Sequence, residues 1–284
     1  MDIGVVLSGG MAKGAYQIGA LKAINEFIPS EEIKYISCAS IGVLNGYAFA
    51  TNRLDQAEEI WKNVCNTNAR MIVNQILKSS ILQNSIEKIC DEKDDLALDF
   101  YTTLFDANNR SVVYKNLRLD KSNSKTRFLK ASVAMPIYNK AVQVNGVSYY
   151  DGAMIDNIPV HPLMRHKLDY IICIYFDDIC YKFENSYFDN KIIKITFPSK
   201  SILKQSLVVQ QDSIDYMIEE GYTRAKSILQ SILSEGYKNT KQIYDAIEYN
   251  NVHSKNRKVR ITGDLIVTNI NKLAQRIAKR KIVV

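Results

Sequence analysis

Short apolar runs alternate with helical periodicity in the first fifty residues of the chain. Ile3 to Leu7 is a continuous apolar run that ends at a pair of glycines, which is typical of a buried parallel strand. Gly14 to Ile28 then carries apolar residues at helical spacing, and a proline ends the pattern. Ile33 to Ala39 and Ile41 to Ala50 repeat this order of strand, tight turn and helix. The alternation predicts an α/β fold with a mostly parallel sheet.

Later segments extend both patterns. Asp55 to Asp91 has helical spacing, which predicts a helical insertion, or a lid, over one face of the sheet. Asn145-Gly146 lies between two short apolar segments and predicts a hairpin with a type I′ turn. Further strands are predicted at Ser111 to Tyr114, Thr126 to Ala131, Leu168 to Phe176 and Lys191 to Phe197.

The pattern after Pro198 is mainly helical. Helices are predicted over Thr240 to Tyr249 and over Asn271 to Arg280, where basic residues are frequent and fit either a solvated face or a membrane-surface patch. No linker-like change of composition separates these parts. We therefore expect an α/β unit over residues 1–200 and a mainly helical portion over residues 201–284 that packs on it.

Composition narrows the class of protein. The 284 residues are 46% hydrophobic and 24% charged, which is enough for a well-buried core. Disordered, collagenous and solenoid classes are excluded. The net charge of +7 favours contact with anionic surfaces such as acidic lipid headgroups. No motif that reads nucleic acid is present, so we expect no nucleic-acid partner.

Cysteine usage and the first residues bear on location. The five cysteines are scattered and form no C-x-x-C pair, so neither a disulfide framework nor a zinc site is predicted. The N-terminus lacks the basic and long apolar regions of a secretion signal, and no stretch reaches about 18 apolar residues. We expect a cytoplasmic protein that is peripheral to the membrane if it contacts lipid. Secretion without a cleaved signal stays open.

The first candidate site is the loop SGGMAKG, from Ser8 to Gly14. Glycines between a strand and a helix let backbone N–H groups turn towards a ligand, and the helix N-terminus adds positive potential. The loop therefore predicts a site for an anion or an oxyanion. It has neither the P-loop spacing nor the dinucleotide-binding spacing. A glycine turn that only permits close packing is the alternative.

The second candidate is Ser40, at the predicted corner between strand and helix. Residues Cys38 to Gly42 match the nucleophile elbow G-x-S-x-G except that Cys38 replaces the first glycine. An elbow needs small residues because strand and helix backbones pack closely there, and cysteine is small. Taken alone, an ordinary helix N-cap explains the serine better.

The third candidate is Asp151, which follows the predicted hairpin and precedes Gly152 and Ala153. An aspartate at a strand end can accept the proton of a catalytic serine. Asp-Gly is also among the commonest turn dipeptides, so a turn explains the pair on its own.

In order and context, the three motifs resemble those of the patatin-like phospholipase family over roughly residues 1–200. SGGMAKG closes the first strand, CASIG closes the second, and DGA with a nearby N-x-P follows later. The segment ASVAMP at residues 131–136 also resembles a family segment that enters the site. The resemblance implies a three-layer α/β/α sandwich.

The resemblance also implies a role for each matching residue. Ser40 is similar to the family's nucleophile, and Asp151 is similar to the second member of a Ser-Asp dyad, so no histidine, metal or cofactor is required. The other matching positions form an oxyanion hole, the elbow and the support of the site. They are Gly9, Gly10, Met11, Ala12, Lys13 and Gly14 for the hole, Cys38 and Gly42 for the elbow, and Gly152, Ala153, Asn157 and Pro159 for support.

Histidines offer one alternative to the dyad. The chain has only His161, His166 and His253. The first two follow Asp151 too closely to be natural partners in a triad, and His253 lies in a polar stretch. A triad that includes a histidine is therefore the less favoured arrangement. Cys38 and Ala153 depart from the family pattern but keep small side chains.

Together these features predict a serine acyl hydrolase that acts on acyl esters of glycerolipids. Two alternatives stay open: a non-catalytic phosphate- or nucleotide-binding module that uses the Ser8 to Gly14 loop, and an inactive patatin-like scaffold. The sequence does not specify the headgroup, the acyl chain, transfer to an acceptor other than water, or the oligomeric state.

Overall fold

A mixed, mostly parallel sheet forms the centre of the computed structural model, which describes residues 1–64, 71–72, 81–136, 138–177, 180–183, 186–197, 208–209, 211–253, 257–259 and 279–283. The strands, in chain order, are β1 (Ile3–Leu7), β2 (Ile33–Cys38), β3 (Met71–Ile72), β4 (Asp99–Asp106), β5 (Ser111–Asn116), β6 (Val142–Val144), β7 (Val147–Asp151), β8 (Tyr170–Tyr175), β9 (Cys180–Lys182), β10 (Ile192–Thr196), β11 (Val208–Val209), β12 (Arg257–Val259) and β13 (Lys279–Val283). The α-helices are α1 (Gly14–Phe27), α2 (Gly42–Ala50), α3 (Leu54–Val64), α4 (Ile81–Ile89), α5 (Lys125–Ser132), α6 (Ser186–Asp189), α7 (Gln211–Ile232) and α8 (Thr240–His253).

The main sheet has the strand order β10-β8-β1-β2-β4-β5-β13. Neighbours from β10 to β4 are parallel, and β13 is parallel to β5. The β4–β5 pair is antiparallel, and β7 pairs antiparallel with both β4 and β6. Helices flank this sheet, so the predicted α/β class with a mostly parallel sheet is confirmed.

The central strands explain the continuous apolar runs of the sequence. Every residue of β1 and β8 is buried, because helices cover a parallel sheet on both faces and leave no wet side for alternating polar residues. The predicted hairpin is also confirmed. Asn145 has a φ of 49° and Gly146 a φ of 78°, which are the two positive values that a type I′ turn requires.

Helix α7 packs directly on α1. A β-carbon added to Gly19 would lie 1.9 Å from the carbonyl oxygen of Ile218, and one added to Gly221 would lie 2.1 Å from that of Tyr16. The two helix backbones therefore touch, which only glycine permits at these points. Residues after 200 also reach the sheets, since β13 pairs with β5 and β11 pairs with β3.

The structure differs from the sequence predictions at four places. Thr126 to Ala131 was expected as a strand and is part of helix α5, because the Glu92 carboxylate accepts the N–H groups of Lys125 and Thr126 and caps the helix from a distant part of the chain. Strand β4 was not predicted, although its eight residues lie beside β2 in the sheet.

The segment from residue 55 to residue 91 is only partly helical. Helices α3 and α4 agree with the prediction, but Met71–Ile72 forms strand β3, since it pairs with Val208–Val209. Residues 65–70 and 73–80 lie outside the described residues. Most of the predicted helix at 271–280 also lies outside them. Its last two residues, Lys279 and Arg280, belong to β13, so the helix prediction is wrong there.

Candidate active site

The three candidate motifs meet because their strands are neighbours. β1 and β2 are parallel, with Leu7 opposite Cys38, so the Gly-rich loop and the Ser40 corner leave the sheet side by side. β7 then pairs with β4, the next strand, and brings Asp151 opposite Leu104. The Thr103 hydroxyl donates to the carbonyl of Cys38 at 2.9 Å and ties the two parts together.

Ser40 occupies a sharp corner between β2 and α2. Its φ of 51° lies in the left-handed region, which is uncommon for a residue other than glycine. The corner is crowded, because a β-carbon on Gly42 would lie 2.8 Å from the carbonyl oxygen of Leu7. Cys38 is fully buried against Gly46, where an added β-carbon would lie 2.5 Å from its Sγ. The glycine opposite Cys38 therefore makes room for its thiol, whose pKa is raised by burial.

Asp151 is buried and held by backbone groups. Its N–H donates to the carbonyl of Ala134 at 2.9 Å, and its Oδ1 accepts the N–H of Ala153 at 2.8 Å. Burial raises the pKa of the carboxyl group from 3.8 to about 7, although hydrogen bonds from the Ser40 side chain and the Ala153 N–H act in the opposite direction. A carboxylate with a pKa near neutrality beside a serine hydroxyl suits proton exchange between the two.

The Gly-rich loop lies directly against Ser40. A β-carbon on Gly9 would stand 2.8 Å from the Ser40 β-carbon and 2.5 Å from Asn157 Oδ1. Gly9 and Asn157 also exchange two hydrogen bonds of 3.3 Å, from the Gly9 N–H to the Asn157 carbonyl and from the Asn157 side chain to the Gly9 carbonyl. Within the described part of the chain, no protein acceptor binds the N–H groups of Gly10 and Met11. These two donors are free for an anionic ligand atom.

Packing accounts for two other glycines of the loop. A β-carbon on Gly10 would overlap the ring of Phe176, at 2.2 Å, and one on Gly14 would overlap the ring of Trp61, at 2.6 Å. Ala12 and Lys13 belong to the 3-10 turn Met11–Lys13 that leads into α1. Met11 itself has a φ of 55°, so the loop holds a second residue in the left-handed region.

The expected supporting residues lie around Ser40 and Asp151. A β-carbon on Gly152 would lie 2.8 Å from the backbone of Leu104, so the chain after Asp151 presses against β4. Ala153 would be 3.3 Å from a β-carbon on Gly9, which places it across the site from the loop. The carbonyl of Pro159 accepts the hydroxyl of Ser37 at 2.7 Å and so fixes this segment on β2.

A family model, described as patatin-like phospholipase, matches residues 5–164, more than half of the chain. The chain belongs to the patatin-like phospholipase family. The predicted resemblance is therefore confirmed, and the matched segment contains all three motifs.

Individual relatives of this family are distant. Lysophospholipase NTE1 from Cryptococcus neoformans is 26% identical over 193 residues, which cover 61% of this chain and 11% of that protein. The human patatin-like phospholipase domain-containing protein 6 is 26% identical over 169 residues, which cover 55% of this chain and 12% of that protein. The chain thus spans a small part of the length of these curated relatives.

The structure of VipD from Legionella pneumophila has a similar fold. It aligns with a TM-score of 0.50 and 12% sequence identity, and the alignment covers 88% of this chain and 74% of VipD. The shared architecture extends beyond the residues that the patatin-like family model matches, because it includes most of the described chain.

Sequence reasoning missed a set of buried polar residues behind the loop. Gln17 and Asn45 are fully buried and Trp61 is 4% exposed, and all three hydrogen-bond to one another or to the ends of the loop. One signal was present in the sequence, since Asn45 is a polar residue in the middle of the otherwise apolar helix α2. Its partners are on other elements and carry no comparable signal.

The histidines have other partners. His166 Nε2 lies 2.9 Å from the hydroxyl of Tyr101 and its ring stacks on Tyr35, while His253 Nδ1 lies 2.8 Å from the carbonyl of Tyr249. The His161 ring packs beside Tyr114. The described residues contain no cluster of three or more His, Cys, Asp or Glu suited to a metal ion. Among these residues, no helix is long and apolar enough to cross a lipid bilayer.

Proposed function

We propose that this patatin-like protein is a serine acyl hydrolase that cleaves carboxylic esters of glycerolipids, with Ser40 as the nucleophile and Asp151 as the base. The observation that carries the proposal is the pairing of a buried carboxylate, with a pKa near 7, and a serine at a left-handed strand-to-helix corner. The free N–H groups of Gly10 and Met11 supply the third requirement, a site for the oxyanion.

The reaction follows from these positions. Asp151 takes the proton of the Ser40 hydroxyl while Oγ attacks the acyl carbonyl, and the oxygen of that carbonyl becomes an oxyanion bound by the N–H groups of Gly10 and Met11. When the tetrahedral intermediate collapses, Asp151 returns the proton to the leaving alkoxide. Water, deprotonated by Asp151, then attacks the acyl ester of Ser40. When this second intermediate collapses, Asp151 returns the proton to Ser40 Oγ and the fatty acid is released. Each preorganised donor to an oxyanion contributes ~10²–10³ in rate.

The class of substrate follows from the family and the charge. The relatives that carry the names lysophospholipase and patatin-like phospholipase support a glycerophospholipid substrate. The net charge of +7 favours an anionic lipid surface, on which the protein would act as a peripheral enzyme. We propose hydrolysis of such lipids as the principal reaction.

Labelling with a fluorophosphonate, followed by peptide mapping, tests the assignment of the nucleophile. We expect modification of Ser40 in the presence of anionic phospholipid vesicles, and its loss in Ser40→Ala. Ser148, a serine on the hairpin before Asp151, is the matched control, and Ser148→Ala should label normally. An unlabelled wild-type protein that binds nucleotide and is stabilised by it would favour the binding module instead.

Asp151→Asn tests the base. We expect a loss of at least 10²-fold in lipid hydrolysis, with the protein still folded. Asp156→Asn is the matched control, because Asp156 is a buried acid five positions along that accepts a hydrogen bond from Tyr114. Asp156→Asn should keep most of the activity. Equal losses in the two variants would remove Asp151 from its proposed role.

A further inference from the structure

A chain of buried amides joins the two ends of the Gly-rich loop. The Gln17 side chain donates to the carbonyl of Ser8, the first residue of the loop, at 2.8 Å. The Asn45 side chain donates to the carbonyl of Gly14, the last residue of the loop, and to Gln17 Oε1, both at 2.8 Å. The segment Gly9 to Lys13 is therefore held at both ends by the same pair of side chains.

Trp61 completes this network from α3. Its indole N–H donates to Asn45 Oδ1 at 2.9 Å, and its ring covers Gly14. Asn45 thus donates twice and accepts once, which leaves only one orientation of its amide that satisfies all three contacts. Buried polar groups are costly to leave unpaired, so a fully satisfied network of this kind is rigid.

The network also relates the loop to the nucleophile. Asn45 lies on α2, the helix that begins at the Ser40 corner, whereas Gln17 lies on α1, the helix that follows the loop. A hydrogen bond between these two amides sets the position of one helix N-terminus against the other. The donors Gly10 and Met11 are therefore fixed relative to Ser40 through Gln17 and Asn45.

We propose that Gln17 and Asn45 are positioning residues that hold the loop N–H groups in line with the oxyanion formed at Ser40, and that Trp61 fixes their amides. The inference rests on the proposed function. An oxyanion exists only after attack on the carbonyl, so a displaced loop weakens the transition state and leaves ground-state binding almost unchanged. Displacement by about 1 Å costs on the order of 10²-fold in rate.

Gln17→Met tests the proposal with little change in side-chain volume. It removes the donor to Ser8 and the acceptor for Asn45, and we expect kcat to fall by roughly 10- to 100-fold with KM within about twofold of the wild-type value. Trp61→Phe keeps a ring over Gly14 but lacks the N–H, so it should lower kcat by about two- to tenfold. If Gln17→Met does not fold, Trp61→Phe provides the same test.

Tyr47→Phe is the matched control. Tyr47 lies on α2 close to Asn45 and is fully buried, but its hydroxyl donates to Asp94 Oδ2 at 2.9 Å rather than to the loop network. The variant loses a partly buried hydroxyl on the same helix, which also lies 3.2 Å from the carbonyl of Asp91. We expect kcat within about twofold of wild type. An equal fall in kcat for Tyr47→Phe and Gln17→Met, in proportion to lost stability, would overturn the positioning role.

Hydrogen exchange separates this inference from the proposed function. The N–H groups of Gly9 and Lys13 are hydrogen-bonded to Asn157 and Gly10, and they report on loop position in the absence of any substrate. We expect their exchange, followed by mass spectrometry, to be at least about tenfold faster in Gln17→Met and unchanged in Tyr47→Phe. Unchanged exchange in Gln17→Met would refute the positioning role. If exchange is faster in Gln17→Met but the wild type neither hydrolyses lipid nor is labelled at Ser40, the hydrolase proposal alone is refuted.

Discussion

Gly9 and Ser40 are in such close contact that only glycine fits opposite the serine. The added β-carbon that would stand 2.8 Å from the Ser40 β-carbon is nearer than real β-carbons approach. The Gly-rich loop and the Ser40 corner, which are separate in sequence, are therefore one packed unit. Any displacement of one of them displaces the other.

Gly9→Ala should push the Gly-rich loop away from the Ser40 corner. Because the new methyl group also meets Asn157 Oδ1 at 2.5 Å, we expect the loop to move and ester hydrolysis to fall by at least about tenfold. Gly146→Ala is the control. Its β-carbon would meet nothing within 4 Å, but its φ of 78° is unfavourable for alanine. We expect a cost of about 1 kcal/mol in stability and full activity. Full activity in Gly9→Ala would contradict the close packing.

The raised pKa of Asp151 predicts the pH dependence of activity. Only the ionised carboxylate can accept the Ser40 proton, and its pKa is about 7. We expect kcat/KM to rise about tenfold per pH unit below pH 7 and to level off above it. The measurement is a pH profile with a soluble ester. A profile that is flat from pH 5 to pH 8 would show that no group with this pKa acts as the base.

The same pKa predicts that Asp151 destabilises the folded protein at neutral pH. Between about pH 4 and pH 7 the folded protein retains a proton that the unfolded chain releases, so this group's contribution to stability falls as the pH rises. Asn cannot ionise. We therefore expect Asp151→Asn to have a larger free energy of unfolding than wild type at pH 8, by a few kcal/mol at most, and to differ less at pH 5. Thermal unfolding at the two pH values measures this difference. A difference independent of pH would contradict the shifted pKa.

Gly221→Ala tests the contact between α1 and α7. Its methyl group would lie 2.1 Å from the carbonyl oxygen of Tyr16, so the helices must separate, and we expect a loss of roughly 2–4 kcal/mol in the free energy of unfolding. Ser227→Ala, at an exposed position of α7, should change it by less than about 0.5 kcal/mol.

This variant also tests the expected packing of residues 201–284 on the rest of the chain. Trp61 is the single tryptophan, so its fluorescence reports on the α/β unit, whereas far-UV circular dichroism also reports on α7. We expect the two signals to change together in wild type and in Gly221→Ala. A separate unfolding transition for α7 would show that the chain unfolds as two independent units.

The sequence was informative where structure is set locally. The β1 run, the α1 periodicity and the Asn145-Gly146 turn each carry their own signal over a few residues, and all three elements were predicted. The motifs around Ser40 and Asp151 could be found because each follows a strand whose end is marked by small residues.

Errors occurred where distant contacts decide the structure. Helix α5 depends on a carboxylate of Glu92, which caps its first N–H groups from more than thirty positions away. Met71–Ile72 is extended only because Val208–Val209 pairs with it. The amides of Gln17 and Asn45 behind the loop were missed for the same reason, since a polar residue in an apolar helix has no visible partner until the helices are assembled.

The pairing of β13 with β5 has a consequence for how the protein forms. β5 ends at Asn116, but its outer neighbour is Lys279–Val283, so during synthesis this side of the sheet has no partner until more than 160 further residues have been added. Unpaired strand edges invite association with other chains, and parallel pairings that close late are slow. Newly made protein should therefore depend on dilution or chaperones until β13 is added.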